Sequence, residues 1–164
     1  MVAMVFKLTY RGAVPSIQRR HWRAILRAAY YHLGVFWHRE LRKKHFTHRG
    51  AREYHYRKRQ GEPGGPRPRG KRKSYTARKL AKFGHTYPLV YTGASMRASR
   101  IREVRATYKG ARVILHTPTL SRVPGAEMRR ISRREMTQMQ RLFDRFVDAK
   151  LRGIKDVRRR TISM

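Results

Sequence analysis

Apolar and polar side chains alternate through residues 2–10: Val2, Met4, Phe6, Leu8 and Tyr10 fall on one side, Lys7 and Thr9 on the other. A period of two predicts a half-buried strand. Gly12 and Pro15 interrupt it, and from Ser16 the spacing changes. Trp22, Ile25, Leu26, Ala29, Leu33, Phe36, Trp37 and Leu41 recur at three and four residues, while Arg19, Arg20, Arg23, Arg27, Arg39 and Arg42 fill much of the remainder. That pattern predicts an amphipathic helix over 16–44 with one apolar stripe and one basic face. A second long helix is predicted from Ser132-Arg133-Arg134-Glu135, a capping box in which the Ser and Glu side chains satisfy two orphan amides reciprocally. Met136, Met139, Leu142, Phe143, Phe146, Val147 and Leu151 follow at helical spacing. Gly153 stands where a C-terminal cap belongs, which leaves 154–164 as a basic tail.

Between the two helices the periodicity is weaker. Residues 45–73 begin polar and aromatic and then run through Gly61, Pro63, Gly64, Gly65, Pro66, Pro68 and Gly70, a density that no helix or central strand survives. The segment reads as a long basic arm or loop, and loops of that length are usually functional. Ser74 is placed to cap a short helix, 75–83, that Gly84 would end. Residues 88–91 read as a short strand, 93–99 as a loop or single turn, and 120–130 as irregular. The runs 101–107 and 111–117 flank Tyr108-Lys109-Gly110, which predicts a β-hairpin. Within it Val113 and Leu115 alternate with Ile114 and His116, so the second strand is expected to be covered on both faces. The expected fold is α+β: one domain, made of 1–44 (strand and long helix) and 74–153 (short helix, hairpin and C-terminal helix), with a small antiparallel sheet packed by two long amphipathic helices and the basic arm 45–73 between the two parts.

Charge narrows the function. The chain has 42 Lys and Arg against 9 Asp and Glu, a net charge of +33, and the excess runs through every stretch of the sequence. A basic tail on a neutral domain is thereby excluded. Charge of one sign stores self-repulsion that an anionic partner relieves, and nucleic acid adds counterion release. There is no cysteine, so neither a disulfide framework nor a thiolate metal site is available. His38, His45, His48 and His55 lie in one stretch, but nearby cations oppose a metal and zinc wants four ligands. The carboxylates are scattered, with Asp144 and Asp148 placed for ordinary ion pairs with neighbouring arginines. No enzyme, cofactor or metal is therefore expected. The opening residues do not read as a signal peptide and no apolar run is long enough to span a bilayer, so a cytoplasmic, membrane-free protein is expected.

Within 45–73, Arg49, Arg52, Arg57, Lys58, Arg59, Arg67, Arg69, Lys71, Arg72 and Lys73 are interleaved with Tyr54, His55 and Tyr56. Cations meet phosphates and rings stack on exposed bases, so these are the candidate polyanion contacts. No base-reading module is recognisable, and DNA binding without sequence preference is expected. An acidic protein neighbour would satisfy the same charges, and a ribosomal-type RNA-binding protein would share the charge and the arm.

The stretch Phe83-Gly84-His85-Thr86-Tyr87-Pro88-Leu89-Val90-Tyr91-Thr92-Gly93-Ala94-Ser95-Met96-Arg97-Ala98-Ser99 resembles one found in tailed-bacteriophage head–tail connector and tail-completion proteins. Lys79 and Lys82 precede Pro88-Leu89, Thr92-Gly93 follows, and Met96-Arg97-Ala98-Ser99 closes the pattern, with the hydrophobe one residue late. A hairpin and a C-terminal amphipathic helix come next in that family, as 104–115 and 136–151 do here. The resemblance implies a virion protein of the head–tail junction, assembled in the host cytoplasm. It further implies a ring of six or twelve copies around the DNA channel, against neck, portal or tail neighbours that are expected to be acidic. Completion protein, connector and tail terminator all stay open as its place.

Overall fold

A computed structural model describes residues 2–14, 17–68, 73–89, 94–100, 102–115 and 126–162, without the side chains of 2, 94, 95, 102 and 155–162. The fold is α+β, as the periodicities require, with a three-stranded antiparallel sheet. The chain forms two compact units. One takes in 40–102 and 115–130 together with 1–2, and the other 3–39, 103–114 and 131–164. We call them the polar unit and the helix–sheet unit.

The helix–sheet unit follows the sequence pattern closely. Strand β1 (Val2–Phe6), β2 (Arg102–Thr107) and β3 (Gly110–Leu115) lie in the order β1-β3-β2, with Ala111, Val113 and Ile114 of the central strand all buried. Coverage on both faces is what the doubled alternation of β3 called for. Met4 and Phe6 are buried and Val5 is exposed, the period of two expected of β1. The strand stops at Phe6 rather than Tyr10, because the next residues turn to other partners. Tyr30 on helix α1 (Arg19–Phe36) donates its hydroxyl to the Leu8 carbonyl at 2.6 Å and accepts from the Leu8 amide at 3.1 Å. Gly34 lets α1 approach the sheet: a Cβ there would sit 2.8 Å from Val104 and 3.1 Å from Val113.

The last helix, α5 (Arg133–Ile162), packs on α1, with the Tyr30 and Phe143 ring centroids 4.9 Å apart. Met139, Phe143, Val147 and Leu151 are buried, whereas Met136 is exposed. The capping box forms: the Glu135 amide donates to Ser132 Oγ and the Ser132 amide to the Glu135 carboxylate, each at 3.3 Å. Gly153 does not end the helix. A glycine inside a helix costs only about 1 kcal/mol relative to Ala, so α5 continues to Ile162 through what reads as a basic tail. Asp144 and Asp148 are not surface partners for arginine either. Asp148 accepts from the Tyr10 hydroxyl, and Asp144 accepts from Gln140 at 3.0 Å, while Gln140 also donates to the Thr9 carbonyl at 2.9 Å. Together they tie the chain after β1 to α5. The hydrogen bond to Asp148, helped by burial and that same negative charge, pushes the Tyr10 hydroxyl up to about 12, so it remains a donor.

The long N-terminal helix keeps α geometry only as far as Phe36. A π turn (Trp37–Leu41) and a 3-10 turn (Arg42–Phe46) follow, and they carry the chain into the polar unit. Helix α2 (His48–Glu53) is capped by Thr47, whose Oγ1 accepts from the Gly50 amide at 3.0 Å. Helix α3 (Tyr75–Phe83) has its Ser74 cap, and Gly84 closes it in the left-handed region at φ 69°, both as predicted. Helix α4 (Ala94–Ala98) is the single turn expected within 93–99. Pro88 and Leu89 form a turn. The rest of the strand expected over 88–91, the hairpin end 116–117 and the irregular 120–125 lie outside the described residues. Among the described residues no helix is long and apolar enough to cross a membrane.

Candidate polyanion-binding surface

The segment read as an arm is folded wherever it is described. His45, Phe46 and Tyr54 are buried, and α2 lies between them. His45 stacks on Tyr54 with centroids 4.2 Å apart, and its Nδ1 shares a hydrogen bond with the Tyr56 hydroxyl. Burial, then the neighbouring Lys44 charge, pushes His45 down to about 3, so it stays neutral. The aromatic residues that looked ready to stack on bases are thus partly consumed by the interior. Tyr54 is buried and Tyr56 half-buried, whereas His55 is exposed.

The turn after α2 is clamped by a long-range carboxylate. Glu127, buried, accepts from the Arg57 amide at 3.1 Å and pairs with the Arg59 guanidinium. Arg130 adds hydrogen bonds to the carbonyls of Tyr54, at 3.0 Å, and His55. The loop then returns to α3, where Thr76 Oγ1 donates to the Gln60 carbonyl at 3.1 Å. Arg59 is therefore committed to the fold, although its residue type and position made it a candidate contact.

What remains is a groove of about 890 Å³ between the α2–loop segment and α3. Arg52, Arg57 and Lys58 stand on its rim beside Arg59, with His48 and His55 nearby and Leu80 and Pro63 as apolar lining. Glu62 also lines it, but its carboxylate accepts from the Arg59 amide at 2.8 Å. The structure so brings four of the ten candidates together. Arg49, Arg67 and Lys73 are exposed away from the groove lining, and Arg69, Lys71 and Arg72 lie outside the described residues. Chemically the groove can take an anion with an apolar or planar part, because cations, rings and apolar side chains all line it.

Lys79 and Ser99, at the two ends of the stretch 79–99, are structural here. Lys79 is buried and its ammonium donates to the Tyr87 carbonyl, just before Pro88-Leu89. Burial lowers its pKa, with Glu62 opposing and Arg59 adding to the shift. Ser99 is buried, donates to the Met96 carbonyl at 2.7 Å and accepts from Arg42 at 2.6 Å. Burial, then the Arg100 charge, lowers the Arg42 pKa. Sequence reasoning placed Arg42 on a solvated basic face and gave Glu127 no role. Nothing in their local spacing reveals either, because the partners are 57 and about 70 residues away. Among the described residues no three His, Asp or Glu gather as metal ligands. Comparison with protein-family models, curated proteins and solved structures gives no match.

Proposed function

We propose that the chain is a non-enzymatic structural protein whose basic surface lies against a polyanion. The assembly its sequence fits is a ring at the head–tail junction of a tailed bacteriophage, around the DNA channel. The observation that carries the reading is how folding treats charge. Both compact units are basic, and the buried cations Arg42 and Lys79 each donate to a neutral oxygen, that of Ser99 and that of Tyr87. Folding therefore leaves the +33 largely uncompensated, and an external anion lowers the free energy of the whole. The groove rimmed by Arg52, Arg57 and Lys58 is one place for it, and non-specific phosphate contact is the chemistry such a rim supports. The head–tail assignment rests on the motif over 83–99 with Lys79 and Lys82 before it; Lys79 bonds to the Tyr87 carbonyl and Ser99 to the Met96 carbonyl.

Two measurements test this. Duplex DNA of unrelated sequences should bind with similar affinity, and log K should fall linearly and steeply with log salt. Particles containing the protein should hold six or twelve copies at one vertex. One copy per ribosomal subunit would instead make it an RNA-binding component of the ribosome.

A further inference from the structure

The helix–sheet unit carries a second groove, of about 1040 Å³, which the DNA-facing reading does not use. It runs between α1 and β2, and β2 is an outer strand of the sheet, paired on one side by β3. Residues Val104 to Tyr108 line it consecutively. Successive strand residues point to opposite faces, so a groove that touches all of them meets the strand's edge and not one of its faces. Among the described residues no strand pairs with the N–H and C=O groups on that edge. Opposite them α1 presents Ala24 and Ala28 as floor and Arg23, Arg27 and Tyr31 as wall. Arg23 lies over the Tyr108 ring at 4.6 Å, which holds the open end of the groove in shape.

An open edge beside a groove has the form of a β-augmentation site: a guest strand takes the main-chain bonds and sends alternate side chains into the groove. A phosphodiester backbone could accept from the N–H groups of such an edge but has no donors for its C=O groups, so it matches only half of them. A second copy of this chain is also a poor guest, since it would bring a further net charge of +33 against Arg23, Arg27 and Arg105. The one acid on the strand, Glu103, is already bonded to Arg105 at 2.5 Å. We infer that the β2 edge binds an extended acidic segment of a partner protein, with small apolar residues directed at Ala24, Ala28 and Val104 and carboxylates meeting Arg23, Arg27 and Arg105. The inference stands whether or not the assembly is a phage neck.

The test uses the full chain and an acetylated peptide of about six residues that alternates Glu and Val, the length of a typical strand. A control peptide replaces the valines by prolines and keeps the charge. Hydrogen exchange read by mass spectrometry should show the amides of 103–107 slowed about tenfold at saturation by the alternating peptide and unchanged by the control. Arg27→Glu with Arg105→Glu, both at exposed positions, should weaken the peptide by at least about tenfold while the thermal midpoint holds. Equal protection by the proline peptide would overturn the inference, because charge alone would then suffice. So would binding that leaves β2 exchange untouched, or a short DNA duplex that displaces the peptide and itself protects 103–107. The proline control needs no altered protein, so it decides the matter even if the double variant folds poorly.

Discussion

The two compact units solve the same problem with different materials. The helix–sheet unit buries Met4, Phe6, Ile25, Leu33, Val113, Met139, Phe143 and Val147, an apolar interior with a few polar ties at its margin. The polar unit buries Arg42, His45, Thr76, Lys79, Ser99 and Glu127 beside Leu41, Phe46, Tyr54 and Met128. Apolar packing is non-directional and roughly proportional to area. Buried polar groups stabilise only while each partner is in place, and each leaves a large penalty when its partner goes. A chain this poor in acid thus builds one unit from hydrophobic area and the other from specific bonds. In the second, Arg42 and Lys79 donate to neutral oxygens, and Glu127 joins two segments that are distant in sequence.

Substitutions should separate the two designs. Phe143→Ala removes an aromatic ring packed on Tyr30 and should cost about 3–5 kcal/mol, read as lost hydrogen-exchange protection in α1 and α5. Glu127→Gln keeps the size but leaves Arg59, which is 29% exposed, facing a neutral amide. Its cost should be smaller, about 2–3 kcal/mol, because solvent reaches one partner, with protection lost over 54–60. The contrast lies in repair. Adding Arg59→Met to Glu127→Gln should recover part of the loss, since no charge is then left without its partner. No apolar exchange at Tyr30 should rescue Phe143→Ala in that way. Equal costs with no recovery would mean that the polar unit is held by area as well.

The same division governs what the sequence discloses. In the helix–sheet unit the periods of two and of three to four map onto burial, the capping box forms, and the hairpin turns where Tyr108-Lys109-Gly110 stands. Periodicity reports the interior because the interior is made of what repeats. In the polar unit only local devices were legible, namely Ser74, Gly84 and the single turn of α4. Arg42 misleads because the π turn changes the angular advance per residue, which brings inward a side chain that an unbroken α-helix would point to solvent. Residues 45–68 look like an arm because their Gly, Pro and charge content is that of a loop. What holds them is Glu127, and no window of sequence contains both halves of that bond. The groove over Arg52, Arg57 and Lys58 was accordingly visible as composition but not as a place.

Acid should find the polar unit first. His45 has an ordinary pKa near 6.5, and the fold pushes it down to about 3, by burial and then by Lys44. The unfolded chain therefore takes up a proton at His45 that the folded one refuses, and stability from this residue is fully present above pH 6.5 and is lost as pH falls towards 3. Between pH 7.5 and 5.5, above the carboxylate range, the loss should be about 1.4 kcal/mol. His45→Leu should flatten that window in urea titrations. An unchanged slope in the variant would remove His45 as its source.

Helix caps are the device the units share, and so they provide the finest comparison. Ser74 Oγ accepts from the Ala77 amide at 3.2 Å at the start of α3, and Ser132 Oγ accepts from the Glu135 amide at 3.3 Å at the start of α5. A cap acts on the first turn of its own helix, whatever lies beneath. Ser74→Ala and Ser132→Ala should then each cost about 1 kcal/mol. The second should be slightly costlier, because Glu135 answers back to the backbone amide of residue 132 and loss of the hydroxyl removes one half of that reciprocal pair. Double-variant cycles of Ser132→Ala with Glu135→Gln would show that coupling directly, and Ser74, which has no acid three residues on, supplies the uncoupled reference. If Ser74→Ala proved much the more damaging, its hydroxyl would be serving the loop that Thr76 anchors. The cap would then belong to the network of specific bonds that distinguishes the polar unit.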